Sequence, residues 1–124
     1  MEYKFRGFDA VGKKGWVYGD LAHNKKVTKT GLEDRVMVGG YEVVPESVGI
    51  CTGMKDDYGE MLYEGDICNV AIYGRIENAQ LFYFEKRGQF FLGNRGLSFQ
   101  ITFAHTCKKI GTVYENEELL NNNE

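Results

Sequence analysis

The stretch Thr52 to Val70, TGMKDDYGEMLYEGDICNV, sets Asp56, Asp57, Glu60, Glu64 and Asp66 against Lys55 alone, with Gly53, Gly59 and Gly65 among them. Clustered carboxylates are what a divalent cation or a metal-dependent hydrolysis requires. The spacing does not make a calcium loop. With Gly59 at the sixth loop position, Met54 stands first and Tyr58 fifth, and with Gly65 there, Ala71 replaces the bidentate Glu. Turn chemistry fits instead. Asp56 and Asp57 can accept from the N–H groups that follow them, and Gly59 can take positive φ. This predicts a hairpin turn between Val48–Met54 and Glu60–Tyr63. A second turn at YEGDI bends at Gly65, is capped by Asp66 and launches ICNVAIY. Glu64 and Asp66 would share a strand face if extended, but the bend at Gly65 splays them. The acids are read as solvated turn residues, with no metal site.

Other reactive constellations are equally thin. Cys51, Cys68, His105 and Cys107 suffice in number for a Cys₃His zinc site, yet no pair has the Cys-x₂₋₄-Cys spacing of structural zinc modules. Three widely spaced cysteines suit reduced, buried thiols without bridges. His23 lies in a polar stretch, and nothing pairs either histidine with a thiol and an orienting acid. Metal-dependent nucleases need clustered carboxylates, often with a lysine, whereas the Glu-x-Lys here is Glu2–Lys4 with no acid upstream. GGYEVVPESVG and GNRG match neither phosphate-binding fingerprint. The expectation is a protein that is not an enzyme and uses no cofactor. Phe82, Tyr83, Phe84, Phe90 and Phe91 lie beside Lys86, Arg87 and Arg95, so stacking on nucleic-acid bases is the alternative reading. Three cations do not make a groove, and the net charge of −3 opposes phosphate binding. Core or subunit interface is the preferred use of those rings. Lys25, Lys26 and Lys29 are read as a solvated loop.

The elements that must position these residues are strands. Sixteen glycines and one proline punctuate short runs of β-branched and aromatic residues, which predicts an all-β, mainly antiparallel fold. At 124 residues and 43% hydrophobic content the chain is expected to form a single domain over 1–120, followed by a disordered tail at 121–124. YKFRGFD and WVYGDLAH form two antiparallel strands about the turn AVGKKG. Asn24–Gly40 lacks a sustained period and is read as mostly loop, with a short strand at Arg35–Val38. Pro45 ends the next strand by removing a ladder donor. RIENAQLFYF, QFFLG, LSFQITFAHT and CKKIGTVYE continue as an antiparallel meander. With Glu85–Gly88 as a four-residue loop, Phe84 faces Gln89, Tyr83 faces Phe90, Phe82 faces Phe91 and Leu81 faces Leu92. Each hairpin face then carries apolar residues, where one wet face would alternate apolar with polar. At the end, Asn116 is read as the N-cap of one helical turn bearing Leu119 and Leu120.

YKFRGFD near the start, YEVVPESVGICTGMKDDYGEMLYEGDI in the centre and IGTVYENEELL at the end resemble the YopX family of phage and prophage proteins. The matching positions are Phe5, Arg6, Gly49, Thr52, Gly53, Lys55, Asp56, Gly59, Tyr63, Glu64, Gly65, Asp66, Ile67, Gly111, Asn116, Leu119 and Leu120. Ile50 and Glu117 depart from the pattern, which tends to a polar residue at the first and often to proline at the second. The resemblance implies a small, barrel-like β fold in a phage or prophage accessory protein, and implies no biochemical activity. The chain has no apolar run of membrane-spanning length and no signal-peptide core at its start, so a cytoplasmic protein of the bacterial host cell is expected. The doubly apolar hairpin adds the expectation of a homo-oligomer, with a host or phage protein as a further partner.

Overall fold

A computed structural model describes residues 4–72, 74–94, 97–100 and 106–121. The fold is all-β and antiparallel, and its contacts group into two compact units, Met1–Cys51 and Thr52–Glu124.

In the first unit, β1 (Phe5–Phe8) pairs antiparallel with β2 (Trp16–Gly19), Phe5 opposite Gly19 and Phe8 opposite Trp16. The connecting turn forms around Asp9, a buried aspartate whose carboxylate accepts from the N–H groups of Val11 (3.1 Å) and Lys14 (3.2 Å). This is the local side-chain capping that aspartate favours in turns. Three strands follow: β3 (Leu21–Thr28), β4 (Gly31–Val38) and β5 (Tyr41–Val43), in the order β3-β4-β5. Asn24–Gly40 is therefore not mostly loop. It supplies all of β4 and Asn24–Thr28 of β3 in an eight-residue strand pair, Thr28 opposite Gly31 and Leu21 opposite Val38. The missing period has a physical cause. Much of the ribbon is exposed on both faces, down to Val27 (83% exposed) and Leu32 (67%), so no apolar alternation is needed. Gly39 and Gly40, at φ 59° and 88°, make the two-residue turn into β5. Pro45 does end β5 and opens a 3₁₀ turn, Pro45–Ser47. Buried Ser47 secures that turn by accepting from Phe8 N–H at 2.7 Å and donating to Val44 C=O at 2.6 Å. Val17, Val38 and Val43 form this unit's core, flanked by Phe5, Leu21, Val36 and Val48.

Strand β6 (Gly49–Lys55) begins beside β1, Arg6 opposite Gly49, and carries the chain into the second unit. There its end meets β7 (Met61–Tyr63) across the predicted turn. A five-stranded sheet follows from β8 (Asp66–Ile72), β9 (Arg75–Phe84), β10 (Gln89–Asn94), β11 (Leu97–Gln100) and β12 (Thr106–Thr112), in the order β11-β10-β9-β8-β12. The meander holds through β11, and then β12 crosses to the outer edge of β8 instead of continuing beside β11. Among the described residues no pairing joins β11 to β12. Among the described residues the sheet does not close into a barrel, since closure needs the two end strands to pair. Leu62, Cys68, Val70, Ile72, Ala79, Leu81, Leu92 and Cys107 fill its core. In the expected strand LSFQITFAHT, Leu97–Gln100 is β11, Thr106 begins β12, and 101–105, with Phe103 and His105, lie outside the described residues.

The C-terminal helical turn starts earlier than expected. Helix α1 (Val113–Asn116) is capped by Thr112, whose hydroxyl accepts from Glu115 N–H at 3.1 Å. Asn116 reaches back to accept from Thr112 N–H at 3.2 Å, so the two side chains satisfy the helix start reciprocally. A 3₁₀ helix, Glu117–Asn121, continues it, so Asn121 is helical and not tail, while 122–124 lie outside the described residues. Asn78 and Asn94 donate to the carbonyls of Leu119 and Leu120. No helix among the described residues is long and apolar enough to cross a membrane.

The paired glycines of the β4–β5 turn differ in what surrounds them. A Cβ on Gly39 would stand 2.4 Å from the Tyr18 carbonyl oxygen, whereas one on Gly40 meets nothing within 4 Å. Gly39→Ala is expected to destabilise by more than Gly40→Ala, which carries only the cost of a positive φ, about 1 kcal/mol. Chemical denaturation of the two variants measures the difference.

Candidate functional site

The five acids of the opening motif divide into three surroundings. Asp56 is buried, and its carboxylate is filled by backbone donors: Oδ1 accepts from Tyr58 N–H (2.9 Å) and Glu60 N–H (2.8 Å), Oδ2 from Lys109 N–H (2.8 Å). The first two close the turn that Gly59, at φ 86°, completes. The third ties the turn to β12. Asp57 adds two more bonds to the same strand, its Oδ2 accepting from Cys107 N–H at 2.9 Å and its own N–H donating to Cys107 C=O at 3.0 Å. Turn chemistry was the right reading for Asp56, but "solvated" was not, because the same carboxylate also terminates a distant strand.

Asp66 is fully buried. Its Oδ2 accepts from Tyr63 N–H at 2.7 Å, which caps the second turn as expected, and Lys109 Nζ approaches the same oxygen at 3.4 Å. A buried carboxylate without a counter-charge would be costly, and Lys109 supplies that charge. The Lys109 ammonium also lies 5.8 Å from the Tyr63 ring centre. Gly65, at φ 95°, links neighbours on both sides: its N–H donates to Leu81 C=O at 2.8 Å, and its C=O accepts from Val113 N–H at 2.7 Å. Glu60 is exposed and Glu64 half-buried. Lys109 thus reaches both turns, through its backbone to Asp56 and its side chain to Asp66. Sequence reasoning missed it, as no local signal links residues separated by 53 positions.

Electrostatics support a structural role. Burial alone would raise the Asp56 pKa, but the N–H groups of Lys109, Glu60 and Tyr58 and the Lys109 charge outweigh it, so the carboxyl titrates below the ordinary aspartate value. A carboxylate held ionised by backbone donors has its lone pairs committed to protein atoms. It is poorly placed as a proton-transfer group or cation ligand. Among the described residues no three His, Cys, Asp or Glu side chains group to hold a metal.

The cysteines form no disulfide. Cys68 and Cys107 are buried on adjacent strands, and the hydrogen bond between their thiols together with burial raises the Cys68 pKa. They pack in the core with Leu62 and Val70. His105, the remaining zinc candidate, lies outside the described residues.

The aromatic hairpin has the expected register, Phe84 opposite Gln89, Tyr83 opposite Phe90, Phe82 opposite Phe91 and Leu81 opposite Leu92. Leu81 and Leu92 are fully buried, Phe90 packs on the core, and Tyr83 meets Phe90 edge-on at 5.0 Å. On the opposite face Phe91 contacts Phe84 at 5.5 Å and Phe82 at 6.1 Å between ring centres, with Phe84 37% exposed. The structure thus separates a core face from a less covered aromatic face.

These features describe an all-β protein whose acidic motif is a folding device built on carboxylate-to-backbone bonds. The chain belongs to the YopX family: the family's model, described as YopX protein, matches residues 4–121. Its fold is similar to the crystal structure of protein EF1440 from Enterococcus faecalis, with a TM-score of 0.57 and 24% sequence identity over 97% of this chain and 99% of that one. No curated protein matches the sequence.

Two outcomes are expected. Because Asp56 titrates low in the folded protein, its contribution to stability is complete above the unfolded value near 3.8 and is lost as pH falls through the folded pKa. Asp56→Asn should lower stability at neutral pH by about 1–3 kcal/mol, because an amide cannot accept on both sides. It should also flatten the decline below about pH 4, read from denaturation at several pH values. Millimolar Ca²⁺, Mg²⁺ or Mn²⁺ should leave the melting temperature unchanged, since a specific site at a hundred times its Kd would add about 2.7 kcal/mol.

Proposed function

We propose that the protein acts by binding other polypeptides, first of all a second copy of itself, and carries out no reaction. The carrying observation is the β9–β10 hairpin. One face, with Leu81, Leu92 and Phe90, belongs to the core, and on the other Phe91 contacts both Phe82 and Phe84, with Phe84 at the surface. Contacting aromatics that keep exposed area are the usual centre of a protein interface, because large rigid rings bury much surface for little lost entropy. A second copy presents the same rings, and ring-on-ring contact is self-complementary in a two-fold dimer. An accessory role in a phage or prophage setting is part of this proposal, supported by membership of the YopX family.

Nucleic-acid stacking on the same rings has less support: the chain carries fifteen Lys and Arg against eighteen Asp and Glu.

Light scattering on a size-exclusion column at micromolar concentration tests the reading. Wild type is expected above monomer mass. Phe82→Arg should give a folded, smaller species, and Tyr83→Arg, on the core side, should unfold the second unit. A monomeric wild type, or a Phe82→Arg protein that simply unfolds, removes the basis for self-association. A salt-dependent shift with a single-stranded oligonucleotide would favour the nucleic-acid reading instead.

A further inference from the structure

A cleft of about 480 Å³ lies on the β3–β4 ribbon, lined by His23, Lys25, Asp34, Arg35, Val36 and Pro45 among others. Its position follows from where β5 stops. Strand β5 pairs with β4 only along Val36–Val38, and the chain then turns away through Pro45, which has no N–H to extend the ladder. In the two-residue hairpin at Gly39–Gly40, Val38 and Tyr41 form the closely bonded pair nearest the turn. Alternation from there aims the backbone groups of Val36, Asp34 and Leu32 to the β5 side of β4. The turn at Lys29–Thr30 sets the complementary phase, with Thr28 and Gly31 as its bonded pair, so Glu33 and Arg35 face β3. Beyond Val36, therefore, the N–H and C=O of Asp34 and Leu32 face the open side, and among the described residues no strand lies there.

Side chains around this edge give the cleft a sign. Arg35 Nε donates to Asn24 Oδ1, which fixes the guanidinium plane and directs its terminal nitrogens elsewhere. Lys25 neutralises Asp34 at 3.2 Å. Of the charged residues in the lining, Lys25 and Arg35 stand against Asp34 alone, a formal excess of one that resides on Arg35, while Lys26 on the same ribbon is held by Glu42 at 2.9 Å. Val36 and Pro45 supply an apolar part of the lining.

We propose that this cleft receives an extended acidic segment of a partner protein, added to β4 as a further strand. The partner's backbone pairs with Leu32 and Asp34, an apolar side chain rests on Val36 and Pro45, and a carboxylate reaches the Arg35 guanidinium. A strand exposes alternate residues to opposite faces, so one segment that alternates apolar and acidic residues meets both demands. The site involves none of the hairpin aromatics, so it stands or falls separately from self-association.

Selection from a random-peptide display library on the immobilised full chain tests the proposal, with an enriched peptide then measured by fluorescence anisotropy. Enrichment of sequences alternating Asp or Glu with Val, Ile or Phe is expected. Arg35→Glu should weaken the peptide at least about tenfold by replacing attraction with repulsion. Leu32→Pro removes a donor that points away from β3, so it should weaken binding similarly while leaving the melting temperature near wild type. Amide exchange at Leu32 and Asp34 should slow when the peptide binds. Failure to enrich any peptide overturns the proposal, as does enrichment of basic sequences. Binding that survives both substitutions, or that leaves those two amides exchanging at their original rate, rules out strand addition. Displacement of the peptide by a single-stranded oligonucleotide assigns the ribbon to nucleic acid and also overturns it.

Discussion

The carboxylate of Asp56 accepts three backbone N–H bonds, two from its own turn and one from Lys109 on β12. A single ionised group thereby sets the bend between β6 and β7 and helps to place β12. Asp57 doubles the attachment through Cys107. Once β12 is held there, the Lys109 side chain lies against Asp66, and the counter-charge that makes a fully buried aspartate tolerable comes from a strand the first turn helped to position. Core packing follows the same placement, since Cys107 enters the cluster of Cys68, Val70 and Leu81 only when β12 lies beside β8. Ionic, hydrogen-bonded and apolar contributions in the second unit therefore support one another.

How much of this the sequence disclosed depends on the range of each interaction. The β9–β10 register was legible because a four-residue loop and side-chain alternation are local, and so were the turns at Gly59 and Gly65, where an aspartate and a glycine stand together. The β3–β4 ribbon was not. Over much of their length its strands are exposed on both faces, so the pairing there is written in backbone bonds that leave no hydrophobic period. The crossing of β12 to the edge of β8 was equally hidden, because a meander is the local default and the clamp that overrides it spans 50 residues and more. Thr112 was a readable signal passed over: Thr112 to Glu115 has the Thr-x-x-Glu spacing of a helix start. Reading Asn116 as the cap identified a residue of the right end but the reciprocal role.

The site followed the same pattern. Composition pointed to the acidic motif, and turn chemistry explained it better than metal binding did. What composition could not distinguish was a carboxylate facing water from one enclosed by backbone donors, because both favour the same residues at the same spacing. That difference decides chemistry. An aspartate whose oxygens are already accepting from amides has little capacity left for a ligand, so a dense acidic motif is compatible with an inert surface. The surfaces proposed here for binding are those where backbone or rings remain exposed, along the ribbon edge and on the outer hairpin face.

The reach of Asp56 and Asp57 across 50 residues also has a kinetic consequence. The turn itself can close as soon as Glu60 has left the ribosome, whereas Lys109 and Cys107 emerge later in synthesis. Until then the β12 side of both aspartates must be served by water. Contacts of such long sequence separation form against a large loop-closure entropy and tend to slow folding. Docking of β12 is therefore expected late, and β8 has no partner on its outer edge until it occurs. During that interval the apolar strand β8 offers an unpaired edge of the kind that can mispair with other chains.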